Sequence, residues 1–290
     1  MTRFVLPQLM VYPCLLAALA GCDGTTGDLV TRVGSPPAGQ GDAGQGNVGA
    51  AGGAEAESSW QIQLSGTLDA SFDVSVYEAD LFALDAEFVR AVHVAGHSLT
   101  CYVSVGTAEP WRSDYDTLPA AAIGSALADY PQEHWLDVRD EGVRRTMTAR
   151  IAIAARTGCD AVELSNLGAH TTDSGFPLTQ ADDLDYARSL IEACHSRGLT
   201  GGISGSDDLV PRLATVADWG LTEECLAYDS CATWQAFTAQ SKRVFMIEYG
   251  STNDAPTLCA EAAKLGFSLV IKRRALDSFR VGCASKTMNP

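Results

Sequence analysis

Carboxylic acids and small polar side chains recur just after the apolar runs of this sequence. The clearest case is "CDAVELSNLGAH" (159–170), where Glu163, Ser165 and Asn166 close a strand-like run. Side chains alternate along a strand, so Glu163 and Ser165 share one face and Leu164 takes the other. A carboxylate in this place is typical of acid–base catalysis, which commonly uses a second carboxylate. The sequence has Ser165 where that second group is expected.

Similar polar groups close the other apolar runs. They are Asp80, Tyr102, Ser104, Asp137, Arg139, Glu223, Glu224, Glu248 and Tyr249. Carboxylates that converge in this way are typical of a glycosidase, in which one acid protonates the leaving oxygen and another carboxylate attacks or activates water. Strand-end carboxylates also cap helices or pair with arginine, so a structural role stays open for each of them.

Such residues need a scaffold that gathers the strand ends. From Trp60 onward, nine apolar, β-branched runs alternate with helix-like segments: "WQIQL", "VSVYEADLF", "SLTCYVSV", "HWLDV", "DAVELS", "GLTGGIS", "WGLTEE", "RVFMIEY" and "SLVIK". The helix-like segments carry start and stop signals, such as the Thr179 cap and closing glycines. Regular alternation predicts a parallel sheet with helical crossovers.

Eight or nine such units predict a (β/α)8 TIM barrel, a fold in which chemistry lies at the carboxyl ends of the strands. Because nine runs exceed the eight strands of the barrel, one is expected to be an accessory strand near the start. A doubly wound open sheet is the alternative, although no GxGxxG turn follows any strand.

The chain divides into three expected parts. Residues 1–21 are a signal peptide, because Arg3 precedes an apolar run that is too short to span a membrane and ends in small residues. Residues 22–59 are rich in Gly, Ala, Asp, Gln and Ser and predict a flexible tether. Residues 60–290 have the composition of one large globular domain.

Residues 19–22, at the end of the expected signal peptide, indicate how the protein is attached to a membrane. "LAGC" (19–22) is similar to a bacterial lipoprotein signal, so Cys22 is expected to carry the lipid; an ordinary cleaved signal is the alternative. The protein is then exported and lipid-anchored to the bacterial cell envelope, and it touches the membrane through the lipid alone.

The net charge bears on the binding partners, and the cysteines bear on disulfides and metal sites. The formal net charge of −16 argues against nucleic acid and suits a polycation, although simple solubility also explains it. Export predicts disulfides among the seven cysteines that follow Cys22, with Cys225 and Cys231 of "CLAYDSC" as the expected pair. No CxxC occurs, so a zinc site is not indicated.

From Trp60 to about Phe279 the chain resembles glycoside hydrolase family 114, the endo-α-1,4-polygalactosaminidase-like proteins. The stretches that carry the resemblance are "WQIQLSGTLD", "VYEADLF", "CYVSVGTAEPWRSD", "WLDVR", "GFPLT", "EECLAYDSC", "VFMIEY" and "GFSLVIKRRALDSF". The resemblance implies a (β/α)8 barrel that cleaves α-1,4-linked galactosamine polymers without a cofactor. Such aminosugar polymers carry free amines, which suit an acidic domain.

The chain departs from this family at the centre. The family usually has Glu-Pro-Asp-Asn, with the Asp thought to be catalytic, where this chain has "ELSN" and therefore Ser165. After the next strand, "GISG" puts Ser204 and Gly205 in place of the family's Lys and Asn. Serine holds no charge at neutral pH and cannot replace a carboxylate nucleophile or base.

The family's second carboxylate is kept as Glu223 in "TEEC". Glu223 and Glu163 are therefore the expected catalytic residues, with water in the space left at Ser165. The expected substrate-binding residues are Asp80, Tyr102, Ser104, Trp111, Ser165, Asn166 and Glu248. Two functions stay open: an endo-acting hydrolase of α-1,4-linked galactosamine-type polysaccharide with weakened activity, or a catalytically inactive glycan-binding surface lipoprotein.

Overall fold

The computed structural model describes residues 59–283. The expected signal peptide, Cys22 and all but the last residue of the expected tether lie outside the described residues, so these features stay predictions. None of the helices within 59–283 has the length and apolar character that crossing a bilayer requires.

The described residues form twelve strands and six α-helices. The strands are β1 (Trp60–Gln63), β2 (Val76–Asp80), β3 (Ser98–Ser104), β4 (Thr107–Ala108), β5 (Ile123–Ala126), β6 (His134–Leu136), β7 (Ala161–Ser165), β8 (Thr200–Ile203), β9 (Trp219–Glu223), β10 (Arg243–Tyr249), β11 (Ser268–Lys272) and β12 (Val281–Gly282). The helices are α1 (Ala86–Val94), α2 (Glu141–Thr157), α3 (Gln180–His195), α4 (Val210–Leu213), α5 (Cys231–Thr238) and α6 (Ala255–Leu265).

Eight of these strands form the predicted (β/α)8 barrel. They are parallel neighbours in the order β1-β2-β3-β7-β8-β9-β10-β11, and β12 pairs antiparallel with β11. Side chains complete the wall where β1 approaches β11: the Trp60 indole donates to the Ser268 carbonyl at 2.8 Å, and Arg280 donates to the Trp60 carbonyl at 2.8 Å. The parallel order brings the carboxyl ends of all eight strands to one rim, the mouth of the barrel.

The accessory strand is not near the start of the domain, as the sequence led us to expect. It is "HWLDV", the fourth run, whose first three residues form β6 between β3 and α2. Strand β6 pairs antiparallel with β4 and β5 in a separate three-stranded sheet. Its polar end, Asp137 and Arg139, forms an ion pair of 2.8 Å instead of joining the barrel mouth.

Apolar side chains fill the amino-terminal half of the barrel interior. Trp60 and Trp219 pack on either side of Phe245, with ring centroids 4.9 and 5.4 Å away. Gly202 makes room for this packing, because a Cβ there would lie 2.2 Å from the Trp219 ring. The inward face becomes polar toward the mouth; on β7, for example, it runs from Ala161 to Glu163 and Ser165.

Capping residues mark the ends of the helices around the barrel, and disulfides cross-link the domain. Helix α3 begins with a capping box between Thr179 and Asp182, and α2 ends at Gly158, whose φ of 101° favours glycine. The disulfides of the described residues join Cys101 to Cys159, Cys225 to Cys231, and Cys259 to Cys283. The expected Cys225–Cys231 pairing is therefore present, and Cys194 is buried outside any disulfide.

Candidate active site

A cavity of about 240 Å³ opens at the carboxyl ends of β7, β8 and β9. Its lining residues are Ser165, Asn166, Ser204, Gly205, Asp207, Leu221, Thr222, Glu223, Tyr228, Ser230 and Trp234. Three residues expected at the site, Ser165, Asn166 and Glu223, therefore meet at one cavity. Sequence reasoning missed Asp207 and Trp234, although Asp207 follows the end of β8 closely enough for the strand-end pattern to have found it.

Glu223 ends β9 at the cavity wall, where the Tyr249 hydroxyl donates a hydrogen bond of 2.5 Å to its Oε2 atom. Its carboxyl reaches solvent, yet the surrounding protein desolvates it enough to raise its pKa. The hydrogen bond from Tyr249 opposes this shift, whereas the charges of Glu163 and Glu224 reinforce it. A raised pKa favours the protonated form of Glu223, the form that a general acid requires.

Glu163, the other expected catalytic residue, does not line the cavity. It lies two residues nearer the amino end of β7 than Ser165 and is 2% exposed. The Ser204 hydroxyl donates to its Oε1 atom and lies 3.1 Å from the Ser165 hydroxyl. The two serine hydroxyls therefore link the cavity to the buried Glu163.

A further acid that the sequence reasoning missed lies beside Glu163. Glu78 of β2 is also 2% exposed, and the Glu78 Oε1 and Glu163 Oε2 atoms find no donor among the described residues. Burial, together with the charge of Glu163 and a side-chain contact with it, raises the pKa of Glu78 well above its usual range. A proton carried by Glu78 and donated to Glu163 would satisfy both oxygens, in agreement with the raised pKa of Glu78. The sequence analysis considered residues at strand ends and did not identify Glu78, which lies in the middle of β2.

Tyr102 and Ser104 of β3 border this network in different ways. Tyr102 is the register partner of Glu163, and burial and the charge of Glu163 raise the pKa of its phenol well above the usual value. Ser104 instead accepts a hydrogen bond of 2.9 Å from the Asn166 side chain and bonds to Thr107. Asn166 has a left-handed backbone (φ 60°), which asparagine tolerates better than most residues. Ser104 therefore holds the turn that presents Asn166 to the cavity.

Asp80 and Trp111, both expected to bind substrate, do not line the cavity. The Asp80 carboxylate pairs with Arg112 at 2.6 Å and also caps the backbone N–H of Phe82. Arg112 pairs at the same time with Glu109 at 2.6 Å, so the charge of Asp80 is already balanced. The neighbouring Trp111 is 53% exposed, on the loop that follows β4.

Glu248 lies on the opposite face of β10 from Tyr249, because adjacent side chains of a strand alternate. Its buried carboxylate accepts the backbone N–H of Leu226 at 3.0 Å. Leu226 belongs to the loop closed by the Cys225–Cys231 disulfide, directly after Glu223 and Glu224. Glu248 therefore positions the loop beside Glu223 and does not line the cavity itself.

His170 joins two loops beside the cavity. Its Nδ1 atom bonds to the fully buried Asp183 of α3, and its Nε2 atom lies 2.8 Å from Asp208. Burial alone would lower the pKa of His170, but the hydrogen bonds and charges of Asp183 and Asp208 outweigh it and raise the pKa. This link fixes the loop that carries Asp207, the residue before Asp208.

Comparison with known proteins agrees with this geometry. The family model for glycoside-hydrolase family GH114 matches residues 43–288. The crystal structure of Aspergillus fumigatus Ega3 in complex with galactosamine has 32% identity and a TM-score of 0.75, over 82% of this chain and 100% of that chain. No curated protein sequence matches the chain significantly.

More distant structures share the fold. The glycoside hydrolase domain of PelA from Pseudomonas aeruginosa has 16% identity and a TM-score of 0.61, over 78% of this chain and 98% of that chain. TtGalA, an α-galactosidase from Thermus thermophilus, has 13% identity and a TM-score of 0.51, over 74% of this chain and 57% of that chain. The family model and the 32% identity to Ega3 confirm the resemblance seen in the sequence: the chain belongs to glycoside-hydrolase family GH114.

Proposed function

We propose that the protein is an endo-acting hydrolase of α-1,4-linked galactosamine-type polysaccharide whose activity is weakened. The observation that carries this proposal is Glu223, a carboxylic acid with a raised pKa, held by Tyr249 at the wall of the cavity. Glu223 has the properties needed to protonate the leaving oxygen of a glycosidic bond. Membership of GH114 and the similarity to Ega3, whose structure contains galactosamine, support the reaction class.

The charge of the site supports a cationic sugar. Asp207 and Glu223 line the cavity, and no lysine or arginine of residues 59–283 lies among its lining residues. Two further acidic side chains, Glu78 and Glu163, are buried behind the cavity floor. An amine-bearing sugar would therefore find complementary charge in the cavity, and the net charge of −16 would attract its polymer over a longer range.

Ser165 is the reason to expect weakened activity. Its hydroxyl lies 3.1 Å from that of Ser204 and carries no charge, so it cannot replace a carboxylate base or nucleophile at the cavity floor. Losing one of two paired carboxylates raises the barrier, and each factor of ten in rate corresponds to about 1.4 kcal/mol. We therefore expect slow turnover together with retained binding.

Oligomers of α-1,4-linked galactosamine of defined length would test the proposal. The purified full chain should convert them slowly to shorter oligomers cut at internal bonds, as measured by mass spectrometry. Glu223→Gln, which keeps the size of the side chain and removes the acid, should abolish cleavage. Cleavage that survives Glu223→Gln, or no cleavage of any oligomer, would overturn the proposal.

Ser165 also supports a second candidate, a catalytically inactive glycan-binding surface protein. In this case the acidic cavity would bind a galactosamine oligomer without cleaving it. Titration calorimetry would show saturable binding by the wild type, and long incubation would leave the oligomer intact. Products that disappear in Glu223→Gln would exclude this second function.

A further inference from the structure

We propose that Asp207 supplies the second carboxylate of the hydrolytic site, taking over the role that Ser165 cannot perform. The inference rests on the proposed hydrolase function and deepens it. Its starting point is the lining of the cavity, in which Asp207 and Glu223 are the two carboxylic acids among the described residues. Glu163 lies behind the floor, where the Ser204 hydroxyl donates to its Oε1 atom and the buried Glu78 lies beside it.

One oxygen of Asp207 is fixed and the other is free. The indole N–H of Trp234 donates to Asp207 Oδ1 at 2.8 Å, whereas no described residue donates to Oδ2 or forms an ion pair with it. Trp234 is 1% exposed, and its ring packs so closely on Gly220 that a Cβ there would lie 2.8 Å away. The donor is therefore rigid, and it fixes the orientation of the carboxylate beside the cavity.

The backbone around Asp207 is held as firmly as its side chain. Asp208 bonds to His170 at 2.8 Å and to the Gln180 side chain at 2.9 Å, which ties the loop after β8 to the loop after β7 and to α3. Asp207 itself begins the short 3₁₀ turn that leads into α4. A carboxylate held by both its backbone and its side chain has the precise position that a catalytic base requires.

In the proposed mechanism, water attacks the sugar directly. Glu223 gives its proton to the glycosidic oxygen as the bond from that oxygen to C1 breaks. A water molecule forms the new bond to C1, and Asp207 takes the proton that this water loses. The cavity of about 240 Å³ has room for this water, since a single water needs about 10–15 Å³ on the same measure. Exchange with solvent then restores the proton to Glu223 and removes it from Asp207.

Replacing the proposed base tests this assignment. Asp207→Asn should lower kcat by roughly 100- to 10,000-fold, the usual contribution of a general base, with little change in KM. Asp173→Asn is the matched control, because Asp173 is an exposed loop aspartate without a hydrogen bond or ion pair among the described residues. Azide should restore turnover in Asp207→Asn and give a glycosyl azide detectable by mass spectrometry, an outcome that a merely structural role would not produce.

Two further readouts separate the possible failures. Direct attack of water on an α-linkage should release the β-anomer first, which NMR of the fresh products detects; initial release of the α-anomer would overturn the role of Asp207 as base. Unchanged kcat in Asp207→Asn, with activity lost in Glu223→Gln, would overturn the inference and leave the proposed function standing. No cleavage by the wild type would overturn both.

Discussion

At the scale of single residues, two serines decide the chemistry of the cavity floor. The family resemblance leads us to expect Ser165 and Ser204 at the positions of the family's aspartate and lysine, and hydrogen bonds link their hydroxyls to Glu163. The loss of a negative and a positive side chain keeps the local charge balanced. A carboxylate restored at 165 would therefore face Glu163 without a neighbouring cation, and its pKa would rise.

Charged side chains introduced at positions 165 and 204 should increase turnover. Ser165→Asp should raise turnover of galactosamine oligomers measurably, and adding Ser204→Lys should raise it further by about tenfold, equivalent to about 1.4 kcal/mol of barrier. Initial rates on one oligomer would be compared for the wild type, both single variants and the double variant. A double variant no faster than Ser165→Asp would contradict the proposed charge balance.

The shared proton of Glu78 and Glu163 gives a prediction for stability. Burial and the neighbouring Glu163 raise the folded-state pKa of Glu78 well above the ordinary value of about 4.5, so its contribution to stability is fully present below pH 4.5 and is lost as the pH rises through the folded pKa. Glu78→Gln keeps a donor toward Glu163 and removes the titrating proton.

Urea unfolding of both proteins at several pH values would measure this effect. The free energy of unfolding of Glu78→Gln, relative to that of the wild type, should increase from pH 4.5 upward. Comparing the two proteins removes the contribution of the other titrating acids. A difference that does not change with pH would contradict the shared proton.

At the scale of elements, His170 connects the loops that follow β7 and β8. Its pKa is raised above 6.5 by its partners Asp183 and Asp208, despite the opposing effect of burial. The stabilisation is therefore fully present below pH 6.5 and is lost as the pH rises through the folded pKa of His170. The element that depends on this link is the loop with Asp207.

His170→Gln should therefore destabilise the protein more at pH 5.5 than at pH 8.5. Urea unfolding at the two pH values would measure the difference, with His195→Gln as the matched control, because His195 is an accessible histidine paired with Asp218 alone. If the destabilisation of His170→Gln is equal at both pH values, the histidine is not charged in the link.

At the scale of the whole molecule, we propose that the hydrolase domain is exported and held at the bacterial cell envelope by a lipid on Cys22. The support is the "LAGC" stretch and the polar composition of residues 22–59. A polymer-degrading domain on a flexible tether would reach substrate at some distance from its anchor.

Mass spectrometry of the native N-terminus tests this proposal. We expect a diacyl- or triacyl-glyceryl cysteine at position 22. Cys22→Ser should release the protein from the membrane fraction, whereas Cys14→Ser, within the expected signal, should leave it anchored. An unmodified N-terminus at another residue would contradict the lipid anchor.

The sequence by itself determined the fold class, since local patterns carry that information. Alternating apolar runs, the Thr179 cap and the glycines at 158 and 266 mark elements whose signals lie within a few residues. The same patterns identified Glu223, Ser165 and Asn166, because the carboxyl ends of parallel strands share one rim. Cysteine spacing identified the Cys225–Cys231 pair.

Only the tertiary structure decided which carboxylates face the cavity and which are buried. Glu78 and Glu163 meet inside the barrel, where only β3 lies between their strands. Asp207 joins Glu223 because the loop after β8 and the end of β9 border the same cavity. Glu248 points away from the cavity because adjacent side chains alternate along β10, which places it on the opposite face from Tyr249. These outcomes depend on strand register and barrel curvature, which bring residues distant in sequence into contact and leave no local trace in the chain.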